Sequence, residues 1–402
     1  MPQLWALVAL VLVLGPGAAS AQSSLEAERD RVFEAMFQDP TNLDLMLEYA
    51  RLSVELRDYE QVVSTLERVV DQEPNIVEAR LELAIAYYAL GAYEIAIYHF
   101  DIVRAVPNAP PEVVAEITQF TERAEDRVAP QSIEGFIEAG PAYGFVDGGA
   151  GIETGLGLTW RVSLPGATAH SWITDLRAQN LYFPDDDNET VTYFLLRTGP
   201  EFSLDGETYG AKLRPYLAVR SSVDFDLEDR STAGAGLQYS NVFSPSWSGF
   251  AVVEGGALRR RDLGEDVDGS FVSGQLGASY FASRTTLLRL SFRGRQDSTD
   301  DDRTDQTTWG VRADLRHAFL SPFGNRSQQW LFSAYGLVNW QRFPSLTPVR
   351  EDRIYGIGAS LRANMRRDFY VEARADLLER DTDVVGAATK RQVVSLVLGK
   401  EF

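Results

Sequence analysis

The spacing of apolar residues changes once along the chain, and this change constrains the fold more than any other feature. Up to about residue 130 apolar side chains recur at helical spacing, whereas from "VAPQS" to the C-terminus they alternate with polar or small residues. A period of 3.6 residues is typical of amphipathic helices, and a period of 2 is typical of strands with two unlike faces. The sequence therefore predicts a multidomain α and β protein, with a helical part followed by a β part.

The β part divides into fourteen alternating stretches, from "IEGFIEAGPAYGF" to "KRQVVSLVLGKEF", each bounded by turn residues. An even number of antiparallel strands allows the first strand to pair with the last. Such closure leaves no unpaired edge. We predict a 14-stranded antiparallel β-barrel over residues 131–402.

Alternation alone does not decide whether the apolar face of this barrel points inward or outward. The stretches are long enough for a tilted membrane crossing of about 9 to 11 residues. Short connections ("FSPSW", "NMRRD") alternate with long acidic ones ("QDSTDDDRTDQ"), as in outer-membrane barrels. Aromatic residues near the strand ends, a second mark of such barrels, are Phe243, Trp247, Phe281, Phe319, Phe323, Trp330 and Phe369 on one rim and Tyr182, Phe183, Phe225, Trp340 and Phe343 on the other. We predict a transmembrane barrel with its apolar face towards lipid.

The other face of this barrel then lines the lumen with charged side chains of both signs. Charges at that depth need partners or water, because a lone buried charge costs several kcal/mol. Two interpretations remain: an arginine–carboxylate network that supports the wall, and a conduction path. The lumen candidates are Asp175, Arg177, Arg197, Glu201, Arg214, Glu254, Arg289, Arg293, Arg312, Asp314, Arg362, Glu372, Arg374 and Asp376.

The last strand ends on a bare aromatic residue, "VVSLVLGKEF". The side chains of Val394, Leu396, Leu398 and Phe402 share one face. This pattern resembles the C-terminal signal by which bacterial outer-membrane barrels are recognised by the barrel assembly machinery. Lys400 departs from it, because an apolar or aromatic residue is usual there.

The N-terminus, "MPQLWALVALVLVLGPGAASAQ", has an apolar core followed by small residues, which predicts a signal peptide over residues 1–21. No Lys or Arg precedes the apolar run, so a membrane anchor is the alternative. The run is about half the length needed to span a bilayer. We expect the cell outer membrane as the location, with the helical part in the periplasm.

Residues 22–130 contain two segments that superimpose at a shift of 34 residues, "NLDLMLEYARLSVELRDYEQVVSTLERVVDQEP" and "IVEARLELAIAYYALGAYEIAIYHFDIVRAVPN". That is the period of tetratricopeptide repeats. Such helix pairs present a concave face, whose candidate groove residues here are Leu47, Arg51, Val54, Leu81, Ile85 and Tyr88. The alternative is that these residues pack against a neighbouring helix or domain.

Composition excludes several classes of function. The net charge of −20 argues against nucleic acid as a partner, and the absence of cysteine excludes thiolate zinc sites and disulfides. The three histidines are far apart, and no metal site or cofactor is predicted. A rim hydrolase using His170 and Ser171 is disfavoured because neighbours on a strand point to opposite faces. We predict no enzyme, and we interpret the acidic loops as solvated charge, with calcium binding as the alternative.

The succession of signal peptide, helical repeats and fourteen-strand barrel resembles the surface lipoprotein assembly modifier (Slam) family. The resemblance covers the mature chain but rests on architecture, with no short identifying motif. It implies an outer-membrane translocator that assists export or surface display of a client protein, with the repeats binding the client or its chaperone. Expected partners are the client, the barrel assembly machinery and membrane lipid, around a monomeric barrel. The alternative is a repeat-bearing porin that exports exopolysaccharide or passes small solutes.

Overall fold

A computed structural model describes the chain from residue 24 to its C-terminus with short gaps. The described ranges are 24–106, 111–146, 149–164, 170–184, 190–204, 210–224, 229–262, 265–283, 285–322, 329–383 and 388–402. The predicted signal peptide lies outside these residues.

The N-terminal part is a helical array of six helices. The helices are α1 (24–38), α2 (Leu43–Glu55), α3 (Tyr59–Gln72), α4 (Val77–Ala89), α5 (Tyr93–Arg104) and α6 (Pro111–Val128). Their apolar stripes pack around one core that contains Met46, Val62, Leu83 and Phe100, each 2% exposed or less. No helix among the described residues is long and apolar enough to cross a bilayer.

The same helix ends recur at a shift of 34 residues. After α2, the amides of Leu56 and Arg57 donate to the carbonyls of Leu52 and Val54, and Arg57 has a φ of 61°. After α4, Leu90 and Gly91 make the equivalent bonds, and Gly91 has a φ of 76°. The array is therefore built from repeated helix pairs that share one turn geometry, with arginine at a position where the second copy has glycine.

The C-terminal part is a closed barrel in which every strand pairs antiparallel with its neighbours in sequence and β1 pairs with β14. The prediction of fourteen strands is confirmed. The strands are β1 (Gln131–Gly144), β2 (Gly149–Ser163), β3 (Ser171–Tyr182), β4 (Val191–Ser203), β5 (Lys212–Asp224), β6 (Asp229–Ser244), β7 (Trp247–Asp262), β8 (Glu265–Ser283), β9 (Thr286–Thr299), β10 (Gln306–Leu320), β11 (Gln329–Phe343), β12 (Arg350–Asn364), β13 (Phe369–Thr382) and β14 (Thr389–Glu401).

The two faces of the barrel differ as the alternation predicts. Large apolar side chains such as Leu217, Val272 and Leu276 are more than 60% exposed on the outer face. The charged side chains lie on the opposite, inner face, where some of them bond across strands that are not adjacent, as Arg230 does with Asp297. An apolar exterior around a polar lumen is the arrangement of a barrel that spans a membrane.

Two aromatic residues assigned to the rim girdles are placed elsewhere by the structure. Phe183 is fully buried and Phe343 is 3% exposed, and the register places Phe343 on the inner face. The rim assignment was wrong for these two residues, because position near a strand end does not decide whether a side chain points inward or outward. Tyr182 and Trp340, by contrast, point outward and are 45% and 39% exposed.

Glycine allows aromatic rings to lie flat against the inner wall. A Cβ on Gly399 would collide with the ring of Tyr370 on the adjacent strand, and one on Gly236 would collide with Tyr216. Rings held against the wall leave space at the centre of the lumen, and their hydroxyl groups reach charged side chains, as described below.

Phe402 extends the pairing of β1 with β14 by one residue pair. Phe402 donates its amide to the carbonyl of Gly135 at 3.0 Å and accepts from the amide of Gly135 at 2.8 Å. The ring of Phe402 occupies the space beside Gly135, where a Cβ would lie 2.8 Å from Cζ. Val394, Leu396 and Leu398 lie on the outer face of the same strand, and Lys400 lies over the ring of Phe369 at 5.6 Å. The terminal aromatic thus contacts the first strand at the seam.

We predict that Phe402→Ala lowers the fraction of chains that assemble, because the ring that lies along the first strand is lost. The assembled fraction is measured by the heat-modifiable mobility of the barrel in cell envelopes. Phe243→Ala is the matched control, since Phe243 is an exposed aromatic near the same rim but away from the seam. Equal loss in both variants would contradict a specific role for the C-terminal ring.

Candidate functional site

The register places all fourteen predicted lumen side chains on the inner face. They do not form one site. Most of them join local networks on different parts of the wall. Several of these networks depend on inner residues that the sequence did not single out, and these are Glu138, Glu153, Arg220, Arg230, Arg260, Arg295 and Asp297.

The most densely paired network lies at the seam and is centred on Arg374 of β13. Its Nη1 donates to Glu138 at 2.9 Å and to Glu153 at 2.5 Å, and its Nη2 donates to Glu138 at 2.7 Å and to Glu372 at 3.0 Å. The hydroxyl of Tyr370 also donates to Glu138, at 2.6 Å. One guanidinium therefore joins carboxylates from β1, β2 and β13 across the closing strand pair.

A second network joins β3, β4 and β5. Asp175 Oδ2 accepts from Nη2 of Arg197 at 2.9 Å and lies 2.9 Å from Nη1 of Arg214. Arg214 is 5% exposed, and its Nη2 also donates to the carbonyl of Ile173. This network carries one more positive than negative charge, unlike the network at the seam.

A third network joins β5 and β7. Arg220 donates to Glu254 through Nη2 at 2.7 Å, and the hydroxyl of Tyr216 donates to the same carboxylate at 2.7 Å. The carboxylate of Glu254 is 3% exposed, so these donors satisfy a charge that is almost out of reach of water.

Asp297 corrects one interpretation from the sequence. It begins the acidic stretch "DSTDDDRTD", interpreted as solvated charge, yet its side chain is 0% exposed and lies inside the barrel. Nε of Arg295 lies 2.7 Å from Oδ1, and Nη2 of Arg230 lies 3.2 Å from Oδ2. Asp301 and Asp305 of the same stretch are engaged by Arg303 and by the amide of Thr299. These aspartates are structural partners within the β9–β10 connection.

The rim histidine and serine are not paired with each other. Nδ1 of His170 accepts from the amide of Ser203 at 3.2 Å, whereas Oγ of Ser171 accepts from Arg161 at 2.7 Å. Neither side chain is therefore available to the other as a nucleophile and a base in this arrangement.

Five of the six candidate groove residues, all but Arg51, belong to the core of the helical array or pack against it, and three of the six also line a cleft. Leu47, Arg51 and Val54 line a cleft of about 260 Å³ between α2 and α4. Leu81, Ile85 and Tyr88 pack against the array's core, and Tyr88 meets the ring of Phe120 on α6 at 5.3 Å between centroids. Glu55, Glu78 and Glu82 also line the cleft, so its rim is acidic.

The helical array contacts two opposite sides of one barrel mouth. At the seam, Tyr88 and Arg123 share a cavity of about 570 Å³ with Phe136 and Phe402. On the far side, α1 and the α2–α3 turn border the β6–β7 turn, Ser244 to Trp247, around a cavity of about 300 Å³. In the strand order, β7 and β8 lie opposite β1 and β14. The array therefore crosses the mouth that carries the short turns.

One contact on the far side uses a residue in an unfavourable backbone conformation. The guanidinium of Arg57 lies 4.0 Å from the ring centroid of Phe281, at the end of β8. The φ of 61° at Arg57 costs a residue with a Cβ about 1 to 2 kcal/mol. The second repeat avoids this cost with Gly91. Because Arg57 occupies a position suited to glycine and its guanidinium lies over an aromatic ring of the barrel, we infer a role in docking.

No known family matches the chain, and no curated protein matches it in sequence. Among solved structures, the chain is similar to OmpT, an outer membrane protein of Vibrio cholerae (8% identity, 68% of this chain, 99% of that chain, TM-score 0.40). It is also similar to the outer membrane channel DcaP of Acinetobacter baumannii (9% identity, 68% of this chain, 97% of that chain, TM-score 0.39). The TPR2B domain of yeast Sti1 covers 26% of this chain and 86% of its own, at 20% identity and a TM-score of 0.24. At such low scores these likenesses carry no argument about function, and the resemblance to the Slam family stays a prediction.

We predict that Arg374→Met destabilises the barrel by about 3 to 5 kcal/mol, because it leaves the carboxylates of Glu138, Glu153 and Glu372 without their shared partner. Unfolding in urea, followed by loss of the folded electrophoretic form, measures the change. Combining it with Glu138→Gln should cost less than the sum of the two single effects. Strict additivity would contradict the network, and Arg259→Gln, which breaks an exposed outer pair, is the control.

We predict that Arg57→Gly releases the array from the β8–β9 turn without destabilising the array, because glycine relieves the strained φ. Hydrogen exchange around residues 281–286 measures docking, and exchange of the α2 and α3 amides measures array stability. Phe281→Ala should release the same contact without stabilising the array, because the strained φ of Arg57 remains. Slower array exchange in Phe281→Ala, or unchanged exchange at the turn in Arg57→Gly, would contradict this assignment.

Proposed function

We propose that this protein is an outer-membrane translocator that assists the export or surface display of a client protein. In this proposal the array lies in the periplasm and receives the client or its chaperone, and the barrel provides the passage. The observation that supports it best is the position of the array across one mouth, in contact with both sides of the rim.

The array has features suited to binding a partner. Its acidic cleft combines the apolar side chains of Leu47 and Val54 with Glu55, Glu78 and Glu82. A partner segment with apolar and basic residues would complement this surface. Because the cleft is small, we expect it to bind one or two side chains of an extended segment, not a folded domain.

Contacts between the array and the rim suggest how passage is controlled. The far side of the mouth has the cation–π contact of Arg57, and most residues that line the cavity beside the β6–β7 turn are charged or polar, namely Glu26, Arg29, Asp58, Ser244 and Ser246. Such an interface is suited to release and rebinding. We propose that client binding moves the array away from Phe281 while α6 keeps it tethered to β1.

The alternative is a channel for polysaccharide or small solutes. A polar cavity of about 520 Å³ in the lumen favours it, since such a volume suits small hydrophilic solutes better than a folded protein. The experiment below separates the two, because only a translocator changes the location of an exported protein.

The absence of natural cysteine permits a direct test. Cysteines are introduced by Arg57→Cys and Phe281→Cys and joined in cells with a reducible bis-maleimide. Surface proteins are then identified by protease shaving, with and without reductant. We predict that joining the array to the rim removes at least one exported protein from the surface while that protein accumulates in the periplasm, and that reduction restores it.

The two single-cysteine variants, treated with the same reagent, are the matched controls. Unchanged surface proteins at complete crosslinking would contradict a moving array. Unchanged surface proteins in a strain lacking the whole gene would contradict the translocator proposal itself and favour the solute channel.

A further inference from the structure

The inner face of β9 carries three arginines in one row, Arg289, Arg293 and Arg295. At about 3.3 Å per residue, the row extends for about 20 Å along the strand. Among the residues that the structure describes, Arg295 is the one member of this row with an ion pair, to Asp297 at 2.7 Å. The other two differ from the arginines of the wall networks described above.

Arg293 makes no hydrogen bond or ion pair with any residue that the structure describes. Its side chain lies over Gly310 of β10, where a Cβ would be 3.0 Å from Nε. The cross-strand neighbours are Gly310 and Gln275, neither of which carries a negative charge. Arg293 lies on the inner face and is exposed as a residue, so water of the lumen reaches it.

Arg289 makes one hydrogen bond through its side chain, and its other N–H donors have no partner among the described residues. Its Nε donates to Oγ of Ser279 at 3.0 Å. Its cross-strand neighbour Asp314 is bound by Arg312 instead, at 2.9 Å, so Arg289 has no ion pair among the described residues. Its terminal NH₂ groups therefore have no carboxylate partner.

Arg289 lines the lumen cavity of about 520 Å³. Lys212 and Arg197 line the same cavity, and among the lining residues none is a carboxylate. The rest of the lining consists of the apolar residues Val242, Phe250 and Val252, two glycines and six neutral hydrogen-bonding side chains, which are Gln238, Ser240, Asn241, Ser248, Gln275 and Ser279. Arg197 is paired with Asp175 and Lys212 lies 3.5 Å from Glu201, so Arg289 is the lining cation without a carboxylate partner among the described residues. A guanidinium with free donors, beside neutral polar groups in a water-filled space, is suited to an anion that carries several oxygens.

The charge of this wall is opposite to that of the molecule. The chain has a net charge of −20, yet cations outnumber carboxylates among the described side chains of the inner face. A guanidinium without a carboxylate partner presents its planar fork of donors to the lumen, and this fork matches the geometry of phosphate and carboxylate oxygens.

We propose that Arg289 and Arg293 bind small multivalent oxyanions, carrying phosphate or carboxylate groups, at two successive positions of the lumen. Arg289 binds within the cavity beside Lys212, and Arg293 binds about 13 Å further along β9. Arg–oxyanion pairs are frequently two-pronged. Two such positions along one strand also give an anion successive binding sites through the lumen. This assignment goes beyond the proposed function and does not depend on a client.

The test uses the purified full-length protein in zwitterionic detergent, titrated calorimetrically with inorganic pyrophosphate and, separately, with citrate. We expect saturable binding of at least one probe. Arg289→Gln and Arg293→Gln should each weaken it, and the double variant should weaken it about tenfold or more, because each loses a charge-assisted contact. The Arg289→Lys and Arg293→Lys pair should lose less affinity than the double glutamine variant, because lysine keeps each charge but not the two-pronged geometry.

Arg259→Gln is the matched control, because it removes one arginine from the outside of β7. Heat-modifiable mobility verifies that every variant is folded. Binding of pyrophosphate alone assigns phosphate as the ligand group, and binding of citrate alone assigns carboxylate. No saturable binding of either probe, or binding that survives in the folded double glutamine variant, would overturn the proposal.

Discussion

Closure of the β-sheet through backbone hydrogen bonds is the constraint on which the rest of the structure depends. In hydrocarbon no water is available to satisfy an unpaired amide or carbonyl, so an open edge would cost several kcal/mol for each group. The pairing of β1 with β14, extended by the reciprocal bonds of Gly135 and Phe402, removes the edge. This closure determines which residues of each strand face inward, and it therefore determines where each inner charge lies.

Once the wall is closed, the inner charges are placed in a confined space where each must find a partner or water. Arg374 pairs with carboxylates from three strands, and Asp297 forms ion pairs with arginines of β6, β7 and β9. Such cross-strand networks stiffen the wall. Arg289 and Arg293 are exceptions on the same wall, which is why their donors can serve a ligand. Support of the wall and binding of solute are therefore divided between different arginines.

The sequence predicted the fold well because alternation is a local property. Fourteen alternating segments define fourteen strands, and the facing of each inner charge follows from its position within one segment. The partners were not predictable, because Glu138 and Arg374 are joined only when the first and last strands meet. Asp297 was misinterpreted because an acidic stretch indicates a loop, whereas the strand continues through its first residues. Docking of the array on the barrel could not be predicted from the sequence either, because it depends on the backbone conformation of Arg57.

The central claim is that the barrel faces lipid with its apolar side and water with its charged side. Cysteine scanning of residues 370–378 on β13 in liposomes tests it most directly, because the chain has no other cysteine. A spin label at each position reports contact with a lipid-soluble or a water-soluble relaxant. The account predicts strict alternation, with positions 372, 374 and 376 in water and 371, 373 and 375 in lipid. Water contact at all six positions, or the opposite alternation, would contradict it.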